Sequence, residues 1–234
     1  TIENQHIVRL EARITPRKND YDNKVYIDKR DSWITEDCTP EEKEALLRKY
    51  FYVFHFVKRQ EKEDSLKEQE HRHYVLRKDI QEEAIGIARF RKKYPAEAAR
   101  VKGIDACASE IGCRPEVFGH AFRFLREQMI HEYIEEENRY IRVADLKITY
   151  HVGEDFLDII DGMRAIDEAI CFLNLRCGDR LGHALAVGVD VQEWYEAKSM
   201  NILISQMDYL DNLVWIYAKI RQFQLTDCEA AVKF

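Results

Sequence analysis

Apolar positions in this chain fall into short runs of alternating residues separated by longer stretches of helical period, a pattern that predicts strands followed by helices. Ile7 to Ile14 alternates as a strand does, and Thr15-Pro16 stops it. A polar loop is expected through about Asp37. Thr39 then supplies an N-cap, Pro40 a first helical residue and Glu41-Glu42 early negative charge, so a helix should run to about Lys49. Phe51 to Val57 is an aromatic and β-branched strand. Lys58 to Arg72 mixes both signs of charge and reads as a solvated loop leading into a helix. Tyr74, Leu76, Ile80, Ala84, Ile87 and Phe90 form a helical stripe that Tyr94-Pro95 ends.

Val101 to Cys107 reads as a third strand and Pro115 to Met129 as a helix. After a charged segment at Glu135-Glu136-Glu137, the strand Leu146 to Tyr150 delivers His151. The helix Ile159 to Leu175 brings the chain back to Asp179-Arg180-Leu181, which delivers His183. A short helix at Val191 to Ala197, a strand at Asn201 to Ile204 and a helix from about Leu210 to Phe223 follow. Six strand-then-helix units without a linker predict an α/β fold with a parallel sheet and helical crossovers. A closed (β/α)8 barrel takes about 250 residues. The pattern therefore fits an incomplete, TIM-like (β/α)8 barrel over residues 1–225, two units short, with a tail at 226–234.

The composition narrows the setting. At 234 residues, 46% hydrophobic and 34% charged, the chain can bury a substantial core. Its net charge of −7 disfavours a general binder of nucleic-acid backbones, which needs a basic surface. No apolar run reaches transmembrane length and Thr1 to His6 carries no secretory signal pattern, so no membrane association is expected. The six cysteines, Cys38, Cys107, Cys113, Cys171, Cys177 and Cys228, form no C-x-x-C pair, which suits reduced thiols in a cytoplasmic protein. A first residue other than Met and a strand within the first ten residues fit an excised part of a longer chain.

Two segments carry the chemistry: His151-Val152-Gly153-Glu154-Asp155 and Arg180-Leu181-Gly182-His183-Ala184, each placed where a predicted strand runs out. C-terminal strand ends are where parallel α/β folds collect reactive groups. A neutral His151 suits a zinc ion, a shielded Glu154 can donate a proton, and His183 can accept one from water. Gly153 lets the backbone turn closely around whatever sits there. The plainer reading is that each histidine is a hydrogen-bonded strand-end residue.

These segments resemble the H-x-G-E and R-x-G-H motifs of the adenosine deaminase family of the amidohydrolase superfamily. Glu11-Ala12-Arg13-Ile14-Thr15-Pro16 is similar to that family's E-x-R-x-x-P, and Gly103 to Glu110 to its G-x-D-x-x-x-x-E, in the same order. The loop lengths and the wording near Asp208 resemble a divergent branch, the large deaminases of bacterial antiviral defence. The resemblance implies that His151 is a zinc ligand, Glu154 the proton donor to a purine ring nitrogen, and His183 the group that positions or deprotonates the attacking water. It further implies that the backbone at Ala108 and Gly153 helps to hold the substrate, a purine nucleoside or nucleotide. Val152, Ala108 and Ala184 depart from the usual family residues, and Ser205 to Tyr209 does not reproduce the wording of the seventh strand.

The family also draws zinc ligands from an H-x-H on its first strand and an Asp on its eighth, and the resemblance places both outside these residues. His71-Arg72-His73 is an H-x-H in letters only, since residues two apart on a helix do not share a face. Asp227 has no strand around it. The expectation is the central part of a zinc-dependent deaminase, inactive as this chain alone, with association through open sheet edges giving a homo-oligomer. Two alternatives stand beside it. One is a non-catalytic barrel used as a scaffold, the other an amidohydrolase acting on another C–N bond.

Overall fold

A computed structural model describes residues 6–60, 71–134 and 139–225. Five parallel strands form one curled, half-barrel sheet: β1 (Leu10–Ile14), β2 (Tyr50–Val57), β3 (Val101–Cys107), β6 (Lys147–Val152) and β7 (Arg180–His183), hydrogen-bonded in that order. A separate antiparallel hairpin, β4 (Ile130–Ile134) with β5 (Arg139–Val143), leaves the sheet between β3 and β6. The helices are α1 (Asp20–Ile34), α2 (Pro40–Lys49), α3 (Tyr74–Lys93), the single turn α4 (Pro95–Ala98), α5 (Gly119–Glu127), α6 (Ile159–Phe172), α7 (Val191–Ala197) and α8 (Gln206–Gln222). No described helix is long and apolar enough to cross a membrane.

The sheet sorts its side chains by parity. Leu10, Ala12 and Ile14 pair with Tyr50, Tyr52 and Phe54, and these join Phe56, Ile104, Ala106, Ile148, Tyr150 and Val152 in the core under the helices. Residues two apart on a strand share a face. Glu11, Arg13, His55, Asp105, Cys107, Thr149 and His151 therefore line the opposite face, the concave one. That face is polar because one irregularity sets its register. Tyr52 pairs with Val101 but Val53 with Gly103, so Lys102 is an extra residue in β3. Without it Asp105 would point into the core, since a one-residue slip exchanges the two faces.

Several sequence expectations need correction. The predicted loop after Pro16 contains the fifteen-residue helix α1, capped by the Asn19 side chain accepting from the Tyr21 amide. Its sequence hides it, because only Asn23 and Ile27 are buried and charge runs around the whole helix. Asn201 to Ile204 is not a strand: Leu203 is 88% exposed and the run pairs with no described strand, which leaves five parallel strands among the described residues in place of six. The helix expected from Pro115 to Met129 is a 3-10 turn at Pro115–Val117 followed by α5. The β4–β5 hairpin was not foreseen. Residues 61–70 of the expected charged loop, Glu135 to Glu137 and the whole of the expected tail at 226–234, with Asp227 and Cys228, lie outside the described residues. The helix at Pro40 forms as expected, with a reciprocal capping box between Thr39 and Glu42.

Arg91 ties the layers together. It is fully buried on α3 and donates to the carbonyls of Leu125 at 3.4 Å, Gln128 at 3.2 Å and Ala144 at 2.7 Å. It thereby satisfies backbone at the end of α5 and at both roots of the hairpin. Arg91→Met keeps the apolar stem but abandons those carbonyls, and urea unfolding should show a loss of about 3 kcal/mol. A loss under about 0.5 kcal/mol would show that the bonds are dispensable.

Candidate functional site

The concave face carries its chemistry at the C-terminal strand ends, around Asp105. This carboxylate is fully buried on β3. Its Oδ1 lies 2.9 Å from His151 Nδ1, and its Oδ2 lies 3.2 Å from His55 Nδ1 and 2.6 Å from Arg13 Nη1. Burial alone would raise the Asp105 pKa. The hydrogen bonds from the His55 and His151 rings and the positive charge of Arg13 outweigh it and hold the carboxyl below its usual range. An ionised carboxylate only accepts, so both rings present Nδ1–H to Asp105 and leave Nε2 as a lone pair. Arg13 Nη1, 3.1 Å from His151 Nε2, donates to that lone pair.

The neighbouring strand ends complete the site. His183 Nε2 lies 2.9 Å from Glu154 Oε2, and the His151 and His183 rings are 5.5 Å apart. Gly182 makes room for this, since a Cβ there would sit 2.6 Å from the His151 ring. Gly153 has φ +70° and a Cβ on it would meet Ile166 at 2.6 Å, so the turn between His151 and Glu154 admits glycine alone. His183 and Ala184 follow with φ of 61° and 49°, a left-handed pair that ends β7 and turns the imidazole toward Glu154.

Glu110 sets the position of Glu154. Buried, it accepts the amides of Gly153 at 3.0 Å, Glu154 at 2.8 Å and Asp155 at 2.8 Å. Three backbone donors on one carboxylate hold the loop as a nest holds an anion. Lys58, at the end of β2, is also buried and donates to the His151 carbonyl. Burial pushes its ammonium below the usual range, while Glu110, Cys113 and Glu154 pull the other way. Beside it, Cys107 Sγ is hydrogen-bonded to His55 Nε2, and burial and the Asp105 charge push the thiol up.

His151, Glu154, His183 and Gly153 thus come together at one end of the sheet. Ala108 follows Cys107 at the end of β3, the strand next to β6, and has φ +79°. A residue with a Cβ is strained there, which accounts for glycine being the natural choice at such a turn. His71-Arg72-His73 goes elsewhere. His73 stands at the N-terminal boundary of α3 and faces Glu116 at 3.4 Å, while Arg72 pairs with Asp211 at 2.7 Å in an ion-pair cluster between helices. Asp105, Arg13 and Glu110 lie inside the recognised motifs, but their contacts depend on register. His55, Cys107 and Lys58 were missed altogether. The available signal was a histidine between two phenylalanines in β2, on the face opposite them.

The residues fit one position of a zinc shell. His151 has the form of a metal-ligating imidazole, with Nδ1–H held by a carboxylate and Nε2 as the free lone pair. Among the described residues, however, no three His, Cys, Asp or Glu side chains lie together as a ligand set. Arg13 donates to the very nitrogen a metal would take. The shell itself does not fit.

Removing the Glu110 carboxylate leaves three buried or half-buried amides without an acceptor. Glu110→Ala should lower the unfolding free energy by about 3 kcal/mol in a urea titration. A change within about 0.5 kcal/mol would contradict the role assigned to it.

No family model matches the chain, and no curated protein matches it either.

Proposed function

We propose that the chain is the central part of a (β/α)8-barrel hydrolase that removes the amino group from a purine nucleoside or nucleotide. The observation that carries this reading is the Glu154–His183 pair, 2.9 Å apart beside a His151 ring that Asp105 fixes. The five parallel strands and their helices are compatible with a larger barrel of this kind. The sequence resemblance supplies the substrate class.

In this reading the two groups divide the proton work. Hydrolytic deamination adds water to the ring carbon that bears the amino group and expels ammonia. Glu154 as an acid protonates the adjacent ring nitrogen, which makes that carbon electrophilic. His183 takes a proton from the entering water, and its direct bond to Glu154 gives the pair a path for sharing protons. Glu110 keeps Glu154 at a fixed height over the strand end, and Asp105 fixes the His151 ring.

Zinc-supplemented full-length protein should convert adenosine or its monophosphate to the inosine product with release of one ammonia. Glu154→Gln should lower kcat about 100-fold or more without loss of folding. Absence of ammonia release from adenosine, its phosphates and adenine would overturn the substrate class. Full activity in Glu154→Gln would overturn the role of the acid.

A further inference from the structure

The contact between Cys107 and His55 is one that the deaminase reading leaves unused, although Asp105 serves both. Cys107 is the last residue of β3 and His55 lies on the adjacent β2, directly opposite Asp105 in the pairing register. The thiol is hydrogen-bonded to His55 Nε2, and His55 Nδ1 lies 3.2 Å from Asp105 Oδ2. The order of contacts is thiol, imidazole, carboxylate. Nucleophilic triads are recognised by this arrangement, whatever the fold. The register irregularity at Lys102 is what places all three side chains on one face.

Each member is in the state the chemistry needs. Asp105 is buried with its Oδ2 against His55 Nδ1, so it orients the ring with Nε2 toward the thiol and can stabilise the imidazolium that forms on proton transfer. His55 Nε2 then has one function left, to accept the Cys107 proton. The sulfur is not walled in, because Cys107 is partly exposed and His55 keeps 18% of its side-chain surface. Two cations, Lys58 and Arg13, place their fields on the sulfur and favour negative charge there. The resting thiol is neutral, so activation comes by general-base transfer to His55 at the moment of attack.

We propose that Cys107, His55 and Asp105 form a nucleophilic triad that takes acyl groups from activated esters or thioesters. The step balances within the triad and its substrate. Cys107 Sγ bonds to the acyl carbon while its proton passes to His55 Nε2 and the carbonyl π pair moves onto oxygen. Collapse of that oxyanion expels the alkoxide or thiolate with its bonding pair, the leaving group takes the proton from His55, and an S-acyl thioester remains on Cys107. The site uses neither Glu154 nor His183, so it stands or falls apart from the deaminase reading.

The test uses p-nitrophenyl acetate on the intact chain, with nitrophenolate release followed by absorbance and acetylated cysteines located by peptide mass mapping. Cys107 should acquire its acetyl group at least about tenfold faster than Cys171 and Cys177, which are more exposed. In urea the three should react alike. His55→Gln should bring Cys107 down to the rate of the exposed cysteines in protein that keeps its folded circular dichroism. A Cys107 rate no higher than theirs in the folded wild-type chain would overturn the proposal, whether or not the variant folds. So would an undiminished rate in folded His55→Gln.

Discussion

The arrangement of this half-barrel depends on one buried carboxylate. Asp105 sits on the central strand β3, without solvent exposure, and is bonded from both sides by groups on β1, β2 and β6. A charge in that position is costly unless it is paired and hydrogen-bonded. Here Arg13 supplies the countercharge and two imidazoles supply N–H donors, so four strands are locked in register at their C-terminal ends by the need to satisfy one residue. The rings of His55 and His151 are consequently fixed in tautomer and direction before any substrate arrives. That is preorganisation of the kind catalysis rewards.

A second carboxylate does for the backbone what Asp105 does for the side chains. Glu110 gathers three consecutive amides after β6, so Glu154 leaves the sheet at a defined point and meets His183 from β7. The two systems share a strand, because His151 ends β6 just before the turn that Glu110 clamps. Lys58 bonds to the His151 carbonyl between them. The two carboxylates are thereby linked through one strand end.

Much of this was legible in the sequence. Strand ends at His151 and His183 follow from apolar runs that stop at polar, glycine-bearing turns; the contact between Glu154 and His183 is added by the structure. What was illegible is specified by pairing and burial. The parity of β3 against β2 turns on one extra residue, Lys102, whose effect no local pattern reveals. His55 and Cys107 consequently read as ordinary strand residues. Asn201 to Ile204 has the composition of a strand but no partner among the described residues, and α1 has caps and a helical backbone but almost no apolar face. Composition records the preference of a segment; its neighbours decide whether the preference is used.

The central claim is that an ionised Asp105 fixes both imidazoles. Long-range nitrogen–proton correlation spectra of the histidine rings, recorded on uniformly labelled protein near neutral pH, test it most directly. The account predicts that His55 and His151 both carry their proton on Nδ1 with Nε2 unprotonated, and that Asp105→Asn abolishes this shared state. Rings protonated on Nε2, or tautomers that average as free histidine does in the wild-type protein, would contradict it.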